Sequence, residues 1–164
     1  MATIAIVAVD KNRAIGKGGT IPWHYSADMR FFKQQTLGNA CVMGYHTWLS
    51  LKKPLKDRLN IVLSRSHQVA PQHGVVVLPD KESVLSIRDY LKCDLYIIGG
   101  EQVYRTFADQ IDRWIVTEIP IAAEGADTFM PEDFLNGFKR TAETELEGGL
   151  NVVFYEREGE KGWS

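Results

Sequence analysis

Two short apolar runs, Ala40-Cys41-Val42-Met43 and Leu95-Tyr96-Ile97-Ile98, each stop at a glycine and pass directly into a stretch with helical spacing. A run of that length without polar alternation reads as a strand covered on both faces, the environment that crossover helices create around parallel strands. Thr3 to Val9 is a longer run of the same kind and reads as the first central strand. Asn60 to Ser64, Val75 to Leu78 and Trp114 to Ile119 add further strands. Helical spacing over Ser26 to Thr36, Tyr45 to Leu51, Ser83 to Leu91 and Glu101 to Phe107 alternates with them. That order predicts an α/β fold with a mostly parallel sheet and helices on both faces. The chain then changes character: Phe138 to Leu146 and Leu150 to Arg157 flank Gly148-Gly149, which predicts an antiparallel hairpin at the sheet edge.

The 164 residues suit one domain, expected over residues 1–158, with residues 159–164 as a loose tail. With 45% hydrophobic and 24% charged residues, the chain has the composition of a packed core and not of a disordered or coiled-coil protein. A net charge of −2 supplies no drive toward polyanions, so neither nucleic acid nor a membrane surface is expected as partner and the ligand should be small. No coiled-coil seam points to a dimer, and a monomer is expected. Cys41 and Cys93 are too few and too far apart for a disulfide framework or a CxxC zinc site, and the four histidines lack zinc-ligand spacing, so no metal is expected. The N-terminal run lacks a basic start and a small-residue cleavage signal, which predicts a cytoplasmic protein.

One residue conflicts with its surroundings. At about 100° per residue, Asp28 falls inside the apolar arc that Met29, Phe31 and Phe32 describe on the first helix, with Gln35 as its polar neighbour there. An ionised carboxylate in such a place is costly unless something pairs with it. Two readings are open. Asp28 lies in the first turn, where an acid complements the helix dipole and spare N–H groups can bind it. Alternatively it lines a pocket walled by Phe32, Met29, Ile6 and Val7 and meets a planar array of N–H donors on a ligand. Ile21-Pro22-Trp23 favours the second, because Pro22 fixes the chain and Trp23 brings a large aromatic to the helix mouth.

Gly99-Gly100 and Gly44 each stand between a strand and a helix, with Thr47 near the start of the second helix. Either turn alone is consistent with close packing of helix on strand. Together they can cradle the phosphates of a dinucleotide at the carboxyl ends of parallel strands, although the GxGxxG fingerprint is absent. Ser64-Arg65, just past another strand, reads either as a further phosphate site or as an exposed loop pair. Arg58 lies in the basic stretch Lys52 to Arg58, a pattern typical of a solvated face.

Ile15-Gly16, Ile21-Pro22-Trp23, Ala27-Asp28, Phe31-Phe32-Lys33, Val42-Met43-Gly44, His46-Thr47-Trp48, Leu63-Ser64-Arg65, Ile98-Gly99-Gly100, Val103-Tyr104, Thr117 and Asp127-Thr128-Phe129 occur in the order and spacing of dihydrofolate reductases. The chain resembles that family, in its bacterial form, over about Ile4 to Arg157. The resemblance implies a central eight-stranded sheet with about four flanking helices, and the NADPH-dependent reduction of 7,8-dihydrofolate to tetrahydrofolate. It implies a catalytic set of Asp28, Trp23 and Thr117, with Asp28 paired to the 2-amino and N3 positions of the pterin and Thr117 joined to that network through a water. Ile6, Val7, Met29, Phe32, Leu51 and Leu55 would wall the folate site, which would also accept antifolate-type molecules, and Arg58 would hold the α-carboxylate of the glutamate tail. Ala8, Gly44, His46, Thr47, Leu63, Ile98, Gly99, Gly100, Gln102, Val103 and Tyr104 would border NADPH, with Ile15 touching the nicotinamide. A cis peptide between the paired glycines is implied as well.

Tyr45 stands in the coenzyme site where family members often carry a cation for the adenosine 2′-phosphate, leaving Ser64 and Arg65 for that task. Tyr25-Ser26 replaces an aliphatic-proline pair, with Ser26 the expected N-cap. Glycine-rich Gly16 to Thr20 suits a lid over the pocket. Two other functions remain open to such a sequence: a pyrimidine reductase of riboflavin synthesis with the same architecture, and a nucleotide-binding module without catalysis.

Overall fold

The computed structural model describes residues 1–19 and 21–159. In chain order, Thr3–Val9 forms β1, Ala14–Gly16 β2, Ser26–Thr36 α1, Ala40–Gly44 β3, Tyr45–Leu51 α2, Leu59–Leu63 β4 and Val75–Leu78 β5. There follow α3 (Lys81–Arg88), β6 (Leu95–Gly99), α4 (Glu101–Thr106), β7 (Arg113–Glu118), β8 (Thr128–Phe129), β9 (Phe138–Leu146) and β10 (Leu150–Arg157). Eight strands make one sheet in the order β5-β4-β3-β6-β1-β7-β10-β9. From β5 to β7 every pairing is parallel, and β10 runs antiparallel to both of its neighbours. The expected parallel sheet and edge hairpin are both present.

Period-two alternation divides the core between the two faces of the sheet. Ala5, Val7, Val9, Val42, Ile61, Ile97 and Val116 meet Val84 of α3 and Val103, Tyr104 and Phe107 at α4 on one face. Ile4, Ile6, Cys41, Met43, Val62, Tyr96 and Ile115 meet Phe31 and Phe32 of α1 and Trp48 and Leu51 of α2 on the other. The helices thus flank the sheet in two pairs, α1 and α2 on one face and α3 and α4 on the other.

The structure moves several boundaries. Helix α3 begins two residues before the expected Ser83, because the Asp80 carboxylate caps it by accepting the Ser83 N–H at 2.8 Å, and its last helical residue is Arg88 rather than Leu91. Ser26 is the first residue of α1 and not its cap; Tyr25 takes the cap position in an extended conformation with no side-chain hydrogen bond. Strands β2 and β8, which the sequence reading lacks, pair with each other outside the main sheet. The tail expected at residues 159–164 lies outside the described residues apart from Gly159. No helix among the described residues is long and apolar enough to cross a membrane.

Candidate active site

Asp28 settles the conflict seen in the sequence through a contact remote along the chain. The Thr117 hydroxyl on β7 donates to Asp28 Oδ1 at 2.8 Å. Thr117 lies beside Ala8 of β1 in the parallel register, so the pair sits on the α1 side of the sheet near the carboxyl ends of the two strands. The contact between the two side chains is direct. Burial pushes the Asp28 carboxyl above the ordinary carboxylate range, and the Thr117 hydrogen bond pulls against it. Burial wins, so the site holds a carboxylate only partly compensated by its own protein.

The walls expected around it are partly assembled. Ile6, Phe32, Leu51, Leu55 and Ile98 all belong to the α1–α2 face. Met29 is 58% exposed and so faces open space at the helix surface. Val7 is a correction: its side chain packs in the opposite cluster against α3 and α4, because neighbouring residues of a strand point to opposite faces, and Ile6 and Val7 cannot share one wall. Trp23 is half-buried just before α1.

Arg58, which the basic run gave no distinction, is held in a defined pose. Its Nη1 donates to Thr36 Oγ1 at 3.0 Å and its Nε to the Lys56 carbonyl at 2.9 Å, while the Thr36 hydroxyl donates back to the Phe32 carbonyl. Fully buried Asn60 pins the loop from beneath: Oδ1 accepts the Leu55 N–H, and Nδ2 donates to the carbonyls of Leu55, Arg58 and Gly74. This loop presents Leu55 and Arg58 at the same mouth as Phe32.

The two glycine turns meet. A Cβ on Gly44 would come within 3.2 Å of Val103 Cγ2, and one on Gly99, at φ +127°, would lie 3.6 Å from both Thr47 Oγ1 and the Tyr104 hydroxyl. The Gly99–Gly100 peptide is cis, as the resemblance implied. Tyr104 is buried and donates its hydroxyl to the Ile6 carbonyl at 2.7 Å, tying α4 to β1. Farther along this edge stand Leu63, Ser64 and Arg65, with Gln102 and His46 exposed and Ile15 half-buried behind the lid segment. Glycines at two strand-to-helix turns, followed by a hydroxyl and a guanidinium at the end of β4, form a donor set that fits a dinucleotide carrying phosphate esters.

Sequence reasoning missed the strap that fastens the glycine-rich segment Gly16–Gly19. Asp127 accepts the Gly18 N–H on Oδ2 at 2.9 Å, and its own N–H donates to the Gly16 carbonyl at 3.0 Å. Asp10, 5% exposed, anchors the base of the same region by accepting the N–H groups of Asn12, Ala14 and Ala123. Thr20 lies outside the described residues.

A family model described as dihydrofolate reductase matches residues 2–156. The chain is 37% identical over 128 residues to the dihydrofolate reductase of Haemophilus influenzae, covering 77% of each protein. It is 31% identical over 163 residues to dihydrofolate reductase HdrB of Haloferax volcanii, covering 94% of this chain and 82% of that one. Among solved structures, a dihydrofolate reductase from Enterococcus faecalis complexed with NADP(H) and RAB-propyl superposes with a TM-score of 0.86 at 30% identity, covering 96% of this chain and 97% of the other.

Proposed function

Since this chain belongs to the dihydrofolate reductase family, whose reaction is the reduction of 7,8-dihydrofolate to 5,6,7,8-tetrahydrofolate, we propose that Asp28 is the group around which its chemistry is arranged and that NADPH is its hydride donor. The observation that carries this reading is a carboxylate on the apolar side of α1, held by Thr117 and raised by burial, in a chain whose two glycine turns meet at Thr47 and Val103. A fork of N–H groups on the 2-amino and N3 edge of a pterin completes the compensation that Thr117 begins. Phe32, Leu51, Leu55 and Ile6 take the apolar middle of the substrate, and Arg58, already oriented by Thr36, takes the tail carboxylate.

NADPH, when bound, supplies the hydride to C6 of the pterin. Gly44, Thr47, Gly99 and Gly100 would admit its phosphates to the backbone, and Ala8, Ile15 and Tyr104 would border the nicotinamide. Held on the opposite edge of the ring, the Asp28 carboxylate does not reach N5; it polarises the pterin while solvent protonates N5. The Gly16–Gly19 lid limits the access of bulk water, and positioning of the two rings lowers the barrier through orientation. The working unit in this reading is a monomer acting in the cytoplasm.

Oxidation of NADPH followed spectrophotometrically, with and without dihydrofolate, tests the reading. Dihydrofolate-dependent oxidation is expected, falling at least about 100-fold in Asp28→Asn. A ribosylaminopyrimidine reduced in preference to dihydrofolate, or an Asp28→Asn enzyme of undiminished activity, overturns it.

A further inference from the structure

The loop between α2 and β4 holds a conformation that its own residues do not favour. Lys52 and Asp57 both lie in the left-handed region, at φ +65° and +60°, where a side chain is disfavoured. Such residues persist where the surroundings fix them from several sides, and they gather at ligand clamps. Around Asp57 the fixing groups can be followed one carbonyl at a time. The carbonyls of Leu55 and Arg58 accept Asn60 Nδ2 at 3.0 and 3.1 Å. Between them, the Lys56 carbonyl accepts Arg58 Nε at 2.9 Å and the Asp57 carbonyl accepts the Gly38 N–H at 2.9 Å.

Asn60 stands fully buried on β4 and also accepts the Leu55 N–H on Oδ1 at 2.9 Å. The arrangement needs an amide, because one planar group must supply an acceptor and two hydrogens. A third carbonyl in reach, that of Gly74 at 3.2 Å, already accepts the Asn60 backbone N–H at 2.8 Å, so the two amide hydrogens fall to the loop. Arg58 then spends Nε on the loop and one Nη1 hydrogen on Thr36, which leaves the remaining N–H groups of the guanidinium fork for a ligand.

We propose that Asn60, buried beneath the loop, is a positioning residue for Arg58 and so sets the preference for a dihydropterin with a tail carboxylate over one without. This rests on the reading of Arg58 as the residue that takes the tail carboxylate. Removing the amide frees the carbonyls on both sides of Asp57, the left-handed residue relaxes, and the guanidinium leaves the geometry that a planar carboxylate requires. Asp28 lies outside this sequence of effects, since it stands on α1 and is tied to Thr117 of β7. Tail binding weakens while the chemistry on the pterin ring continues.

Steady-state kinetics at saturating NADPH, with dihydrofolate and with a 7,8-dihydropterin bearing only a methyl group at C6, test the proposal. Asn60→Ser should raise the KM for dihydrofolate about tenfold with kcat nearly unchanged, while kcat/KM for the methyl dihydropterin stays within about twofold. Arg58→Leu should raise the KM for dihydrofolate as well. Adding Asn60→Ser to Arg58→Leu should change that KM by less than about twofold, because a positioning residue has no effect once the group it positions is gone. Asn60→Asp keeps the shape and the acceptor for the Leu55 N–H; it should reproduce the split between substrates and serves if Asn60→Ser does not fold. An equal loss on both substrates, an additive loss in the double variant, or failure of both Asn60 variants to fold overturns the proposal, makes Asn60 a structural pin, and leaves the Arg58 reading intact. A KM for dihydrofolate unchanged in Arg58→Leu overturns that reading, and the proposal with it.

Discussion

Asp28 sets function against stability at a single position. A carboxyl whose folded value is raised adds stability below the ordinary carboxylate range and loses it as pH climbs through the folded value, so at neutral pH the ionised group weighs against the ligand-free fold. Asparagine keeps an oxygen for the Thr117 hydroxyl and removes the charge. Asp28→Asn should therefore melt at a higher temperature than wild type at pH 7, a gain that vanishes in strong acid where both states of the wild type are protonated. Melting curves at the two pH values check this, and a lower neutral melting temperature contradicts it. Thr117→Val acts in the opposite sense on the same group. With the hydrogen bond gone, burial alone governs Asp28, its carboxyl rises further, and less of it is ionised at any given pH. The acid limb of kcat/KM should shift to higher pH, and a profile superposable on that of wild type would show that this bond does not tune the acid.

At the level of elements, the strap from Asp127 to the lid fastens residues that the sequence marks only as glycine-rich. The Gly18 N–H, the largest influence, and the Thr128 hydroxyl hold the Asp127 carboxyl below the ordinary range. Asp127→Ala should speed amide exchange across Gly16–Gly19 and lower turnover about tenfold with little change in melting temperature, since the residue is solvent-exposed. Unchanged exchange in that segment would show that other contacts hold the lid. Such links escape local reading for a definite reason. The bounds of α1 and α2 are visible in the sequence because an apolar arc recurs within a few residues, and each ends in the structure where that arc ends. β2 and β8 hold three and two residues, pair across more than a hundred positions, and carry no period of their own. Val7 was misplaced by reading a buried strand as one wall, although a strand buried on both faces serves two. Thr117 meets Asp28 across 89 positions, and only the register between β1 and β7 brings it there.

Over the whole molecule, the chemistry lies at the carboxyl ends of the parallel strands and cohesion comes from their middles, so a probe buried mid-sheet reports global opening without touching the site. Cys41 provides it. The residue is fully buried in β3 between β4 and β6, and burial, the largest influence, pushes its thiol up to about 12. A thiol that is neither ionised nor accessible reacts only when the sheet opens, whereas Cys93 is half-exposed and free. In native buffer an alkylating reagent should modify Cys93 first, with Cys41 following at a rate that climbs steeply across the denaturant transition. Because ligands that bind only the folded chain stabilise it by mass action, dihydrofolate together with coenzyme should slow Cys41 labelling and leave Cys93 labelling little altered. Peptide mapping of the alkylated protein separates the two rates. Equal labelling of both thiols in native buffer would mean that β3 opens locally, and the central sheet would then not be the cooperative unit that these packed faces describe.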